Sequence, residues 1–197
     1  ENRFVEFDRE PLIPHMISTE SPCIAVADIN HDGVEDVYIG GSRNSKPAIF
    51  SQKASGKLIR TAQPFLERDS IYENTDAVWA DINNDGNIDL IIASGGNEFY
   101  GPVMQNTPRV YLNNGKAIFT RRENAFESIF ITASCVAVND FNGDGFADLF
   151  LGTRAVPWDF GKTPQSYLLQ NDGTGKFKDV TTSYAAELTN AGFVTGA

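Results

Sequence analysis

The chain has 197 residues, with Asp+Glu 26 against Lys+Arg 16 and a formal net charge of −10. A hydrophobic content of 41% with 11% aromatics excludes a disordered chain, and the length suits one domain with its own core. An acidic chain without a Lys/Arg stripe is not a nucleic-acid binder, and apolar runs as short as residues 37–39 and 90–93 cannot insert into a membrane.

Residues 1–21 open with Phe4-Val-Glu-Phe7, which resembles Phe177-Lys-Asp-Val180. That stretch is predicted to be the last strand of a preceding unit plus a connection. No basic region followed by an apolar stretch opens the sequence, so export is not written there as a leader. Residues 22–73 form a first unit: a small, apolar strand over 23–27, the segment Asp28-Ile-Asn-His-Asp-Gly-Val-Glu-Asp36, then a strand over 37–40. Two weaker strands, 48–51 and 57–60, flank Ala54-Ser-Gly56. Residues 74–131 repeat the scheme, with a strand over 77–80, Asp81-Ile-Asn-Asn-Asp-Gly-Asn-Ile-Asp89, a strand over 90–94 and a hairpin through Asn113-Asn-Gly115. Residues 132–190 repeat it again: 135–138, Asp140-Phe-Asn-Gly-Asp-Gly-Phe-Ala-Asp148, 149–152, and a hairpin around Asn171-Asp-Gly173. Asn-Gly and Asp-Gly pairs supply the positive φ that tight hairpins need. Residues 191–197, ending Phe193-Val-Thr-Gly-Ala197, match the lead-in Asn74-Thr-Asp-Ala77 and are expected to begin a truncated fourth unit. Each unit thus has four short strands, A to D, and the whole is all-β.

The three aspartate segments align without gaps, their first residues 53 and 59 apart. Each has Asp at positions 1, 5 and 9, Asn at 3 and Gly at 6. In a tightly curled loop, side chains at positions 1, 3 and 5 converge, and Gly at 6 allows a sharp turn that brings the position 7 carbonyl inward. The predicted ligands are Asp28, Asn30, Asp32, Val34 and Asp36; Asp81, Asn83, Asp85, Asn87 and Asp89; and Asp140, Asn142, Asp144, Phe146 and Asp148. Carboxylates, amide and carbonyl oxygens select a hard cation of the Ca²⁺ type over zinc or copper. Plain turn formation explains one such segment, but not five identical positions in three copies. Three structural Ca²⁺ sites are therefore expected, each a staple that relieves repulsion among clustered carboxylates.

An EF-hand loop places a bidentate Glu at position 12 between helices. Here position 12 is Ile39, Ile92 and Leu151, inside apolar strands, so that fold is excluded. The loops, the strands that follow them, Tyr111-Leu-Asn-Asn-Gly115 and Phe177-Lys-Asp-Val-Thr181 resemble the FG-GAP or VCBS repeat of integrin-α-like propellers. Over nearly its full length the chain further resembles the repeat region of bacterial cartilage acidic protein-like proteins, whose usual additional ASPIC/UnbV domain these residues do not include. The resemblance implies a partial β-propeller of about three four-stranded antiparallel blades, with a calcium loop between strands A and B. It also implies an extracellular, periplasmic or cell-surface setting in a bacterium.

In such a blade the A–B and B–C connections lie at opposite ends. The B–C segments of units two and three are long and carry Glu98, Phe99, Tyr100, Arg154, Trp158, Asp159 and Phe160, with Arg43 just after strand B of unit one. Long aromatic loops on a rigid scaffold suit recognition of an extracellular protein or glycan; the same aromatics also suit packing of the loops onto the blades. Arg43, Glu98 and Arg154 occupy near-equivalent places, and meet either around the axis as a binding ring or as internal ion pairs. His31, at loop position 4, is expected to face solvent, and His15 stands alone. Cys23 and Cys135, at equivalent strand-A positions, are expected to be buried free thiols, and Trp79 a core or channel residue. No nucleophile elbow, zinc-protease motif or phosphate loop is present. The favoured reading is non-catalytic, an adhesion or binding module. The alternatives are the propeller part of an extracellular carbohydrate-active enzyme using Glu98, Asp159, Tyr100 and Trp158, and a structural spacer. Three blades leave open sheet edges, which either meet further blades or pair edge to edge with a second copy.

Overall fold

The structure, a computed structural model, describes residues 4–197. Twelve strands form three four-stranded antiparallel sheets, each in simple chain order. The first holds β1 (Ile24–Ala27), β2 (Asp36–Ile39), β3 (Ala48–Gln52) and β4 (Leu58–Thr61). The second holds β5 (Asn74–Ala80), β6 (Asp89–Ser94), β7 (Arg109–Asn113) and β8 (Phe119–Arg121). The third holds β9 (Thr132–Asn139), β10 (Asp148–Ala155), β11 (Tyr167–Asn171) and β12 (Phe177–Asp179). The expected all-β architecture of blade-like sheets is present. Short helices the sequence reading left out, α1 (Pro64–Arg68) and α2 (Thr181–Tyr184), follow the last strands of the first and third sheets.

Each aspartate loop closes the hairpin between the first two strands of its sheet, pairing Ala27 with Asp36, Ala80 with Asp89 and Asn139 with Asp148. Because side chains alternate across a strand, each sheet sorts its apolar residues onto two faces. Ala25, Tyr38 and Ile49 of the first sheet meet Ala77, Leu90, Ile92 and Tyr111 of the second. The other face of the second sheet, with Ile91, Ala93 and Val110, packs on Val136, Leu149, Leu151 and Leu169 of the third. The middle sheet is therefore buried on both faces, which is why β6 reads as a continuous apolar run. Trp79 packs between the first two sheets, edge-on to Tyr38 at 6.3 Å and tilted on Phe119 at 5.6 Å, so it is a core residue.

A repeated clamp joins neighbouring blades. Ile29 and Ile82, both at loop position 2, are fully buried in the next sheet's hairpin. Asn113 Nδ2 donates to Ile29 O at 2.9 Å, and Asn171 Nδ2 to Ile82 O at 2.7 Å. The thiols show a smaller regularity. A Cβ on Gly40 would lie 2.7 Å from Cys23 Sγ, and one on Gly152 2.4 Å from Cys135 Sγ, so each Cys is matched by a cross-strand Gly. Both cysteines are free and buried, and burial pushes the Cys23 thiol up to about 12.

The N-terminal segment departs from expectation. Residues 4–7 form no strand; Glu6–Asp8 and Ile17–Thr19 are 3-10 turns. The turns are tied to each other by one carboxylate oxygen: Oε2 of the fully buried Glu6 accepts the Ser18 N–H and hydroxyl, both at 3.1 Å. Residues 191–197 form no strand either, yet they repeat the lead-in to the second blade. Val194 N–H donates to Thr153 O at 3.1 Å, as Asn74 N–H does to Gly41 O at 3.0 Å. The Ser134 hydroxyl donates to Val194 O, as the Thr75 hydroxyl does to Ala133 O.

Candidate metal loops and the opposite face

The three aspartate loops repeat nearly bond for bond. The first carboxylate accepts the amides of positions 5 and 6 in every loop: Asp28 takes Asp32 N–H at 3.1 Å and Gly33 N–H at 2.8 Å. Asp81 takes Asp85 and Gly86 N–H at 3.1 and 2.8 Å, and Asp140 takes Asp144 and Gly145 N–H at 3.1 and 2.9 Å. The position 5 carboxylate accepts the position 7 amide: Asp32 from Val34 at 2.9 Å, Asp85 from Asn87 at 2.8 Å, Asp144 from Phe146 at 2.9 Å. Gly33, Gly86 and Gly145 all have φ between +82° and +88°, the left-handed turn that glycine enters without strain. The asparagine amides also bind carboxylates, Asn30 at Asp36, Asn83 at Asp85 and Asn142 at Asp144.

Asp36, Asp89 and Asp148, at position 9, are buried, and one oxygen of each caps the third strand by accepting the N–H of Gln52, Asn113 or Asn171 at 2.8–2.9 Å. Burial pushes all three carboxyls upward, Asp89 to about 7, and the two other aspartates of the same loop add to the rise. For Asp28 burial is outweighed by the Gly33, Asp32, Asn30 and His31 amides, which hold it below the usual range. Among the described residues no three acidic, His or Cys side chains are already drawn around a common point. The donor set nevertheless fits a hard divalent cation. It offers only oxygens, from side chains and a carbonyl, on a backbone already curled. Asp148 Oδ2 is also buried without a hydrogen-bond partner, which costs about 1–3 kcal/mol unless a cation meets it.

His31 is exposed, as its place at loop position 4 leads one to expect, but it also reaches the neighbouring blade. Its Nε2 lies 3.1 Å from Gly86 O in the second loop, and Asn84 Nδ2 donates to Gly145 O in the third at 3.0 Å. These loop-to-loop bonds went unread in the sequence, although His31, Asn84 and Gly143 share position 4 and all have positive φ.

At the opposite end the blades are covered by residues 4–20. Arg9 donates to Asn97 O and packs its guanidinium between the rings of Phe4 and Trp158, at 4.8 and 4.5 Å. Trp158 stacks on Tyr100 at 5.5 Å. Glu10 accepts from Asn97 Nδ2 at 2.5 Å and from Phe160 N–H at 3.0 Å. The three equivalent charged residues do not form one ring. Arg43 pairs with Glu98 and lies over Phe99 at 4.7 Å, whereas Arg154 pairs with Glu20 beside His15. Asp159 pairs with Lys162 at 3.5 Å. His15 is thus not isolated, and its Nε2 sits 3.0 Å from Glu20. Arg9, Glu10, Glu20 and Asn97 had no motif to announce them. Tyr100, Trp158 and Phe160 stay about half exposed. Beside Phe160, a cavity of about 240 Å³ is walled by Ile13, Ile17, Val156 and Phe193.

Antiparallel four-stranded sheets packed face to face, each with an aspartate loop between its first two strands, define a partial β-propeller. The chain belongs to the FG-GAP-like repeat family, which matches residues 28–92 and 81–151, together more than half of its length. No curated protein matches it. Among the described residues no helix is long and apolar enough to cross a membrane.

Proposed function

We propose that the chain is a non-catalytic, calcium-stabilised propeller module that binds an extracellular protein or glycan through its B–C face. FG-GAP-like repeats are typical of extracellular and cell-surface proteins, and the proposed setting is the surface or periplasm of a bacterium. The calcium part is supported by the aspartate loops and the unpartnered Asp148 Oδ2. Asp28, Asn30, Asp32, Asp36 and the Val34 carbonyl, with their equivalents in the other loops, would hold the ions. Bound calcium would supply charge neutralisation and no reaction. Three divalent ions would more than halve the magnitude of the net charge.

The observation that carries the binding reading is a division of labour on the B–C face. Glu98 and Asp159, the acids a hydrolase would need, are both engaged in ion pairs, while Tyr100, Trp158 and Phe160 remain half exposed. Paired hydrolytic carboxylates stand roughly 5–9.5 Å apart across an open cleft with free oxygens. Arrays of immobilised glycans and extracellular proteins, probed in calcium and in EGTA, test the reading. A ligand retained by the wild type and lost by Tyr100→Ala and Phe160→Ala is the expected outcome; hydrolysis of an arrayed glycan would overturn it.

A further inference from the structure

We propose that His31 and Asn84 are positioning residues, each bracing the metal loop of the next blade from position 4 of its own loop. The inference rests on the calcium reading above. It starts from the peptide unit joining positions 6 and 7, whose C=O and N–H are locked in one plane. In the third loop, Gly145 O accepts Asn84 Nδ2 at 3.0 Å from the second blade. The N–H of that same peptide, on Phe146, donates to Asp144 Oδ1 at 2.9 Å. In the second loop, Gly86 O meets His31 Nε2 at 3.1 Å, and Asn87 N–H donates to Asp85 Oδ1 at 2.8 Å. A carbonyl only accepts, so His31 carries its proton on Nε2 here. The brace therefore orients the peptide that aims the position 5 carboxylate and leads into the position 7 carbonyl.

The first and third loops differ from this pattern. Among the described residues no side chain donates to Gly33 O, so the first loop is unbraced. The third loop has Gly143 at position 4 and no side chain to pass the contact on. Gly143 also shows which substitution removes the brace without backbone strain, because position 4 has φ of +54° to +75° in all three loops.

The full chain, ¹⁵N-labelled and titrated with calcium chloride alone, tests the proposal. In Asn84→Gly the midpoint at the Gly145 and Phe146 amides should rise about threefold, a typical net effect of one exposed hydrogen bond, while that at Gly33 stays in place. His31→Gly should act in the same way on Gly86 and Asn87, and His31→Asn should restore the wild-type midpoint. In EGTA, Asn84→Gly should speed solvent exchange of the Phe146 amide about threefold. Unmoved β6 amides report an intact fold. A shift confined to the substituted loop, or none, overturns the brace. Wild-type amides indifferent to calcium would sink the calcium reading, and unchanged exchange in EGTA would then sink the brace separately.

Discussion

The two ends of the blades satisfy the same need, hydrogen bonds for a chain that reverses between strands, by different means. At the loop end the partners lie within a few residues of one another, as in Asp28 with Asp32 and Gly33, and all three copies look alike. At the B–C end they come from far along the chain: Glu10 binds the loops at Asn97 and Phe160, and Glu20 meets Arg154. Local chemistry repeats because each unit carries it whole. A surface assembled from distant segments is free to differ from blade to blade, and specificity has room to develop there.

The largest effect expected from this contrast is on the loop end. With free calcium about 100-fold above Kd, each proposed site would add about 2.7 kcal/mol to stability. Three such sites together would raise the melting temperature by about 15–30 °C for a domain of this size. Calorimetry in millimolar calcium against EGTA reads it directly. An unchanged melting temperature would remove the difference in kind between the two ends.

Next comes the clamp between blades. Ile82→Ala empties a fully buried knob and is expected to cost about 2–5 kcal/mol in urea denaturation. Phe160→Ala, at a side chain 49% exposed on the B–C face, should cost under about 1 kcal/mol. Equal costs would mean that the irregular face is as much core as the repeated one.

A third effect belongs to the B–C end alone. Burial pushes the Glu73 carboxyl from 4.5 to about 7; the Ser21 hydroxyl opposes the rise, and Glu98 and Glu6 add to it. The folded form then holds the proton more tightly than the unfolded one. The resulting stabilisation is full below about pH 4.5 and is lost as pH rises through about 7, at most about 3 kcal/mol. At saturating calcium, urea midpoints at pH 5 and pH 8 should differ more for the wild type than for Glu73→Gln. Parallel pH profiles would show that Glu73 is solvated rather than buried beside Ser21.

How far the sequence carried the argument follows the same division. The strands, their order and the loop positions were legible because alternation, Gly turns and the Asp-x-Asn-x-Asp-Gly spacing are local signals. Phe4-Val-Glu-Phe7 looked like a strand by the same rule, and it failed because a strand needs a partner edge that the local pattern does not contain. Arg43 and Glu98 were legible only as members of a set of three with Arg154, since equivalent places after strand B were expected to meet; the first two do pair. Arg154 was misplaced in that set because its partners, Glu20 and His15, come from a segment outside any repeat. The reach of His31 to Gly86 was hidden for a different reason: both lie in repeats, but their contact depends on how adjacent blades are rotated.

The smallest effect is also the most local test of the B–C end. Trp158 has φ of +68°, which costs an L-residue with a Cβ roughly 1–2 kcal/mol, and its ring is held between Tyr100 and Arg9. Trp158→Ala loses the ring contacts and keeps the strained backbone, whereas Trp158→Gly loses both the contacts and the strain. The glycine variant should therefore be more stable than the alanine variant by about 1 kcal/mol, measured by urea midpoints at fixed calcium. If the two midpoints coincide, the loop has relaxed out of the left-handed conformation once the ring is gone. Trp158 would then be held by its stacking partners alone, and the B–C face would be an adaptable surface rather than a preformed one.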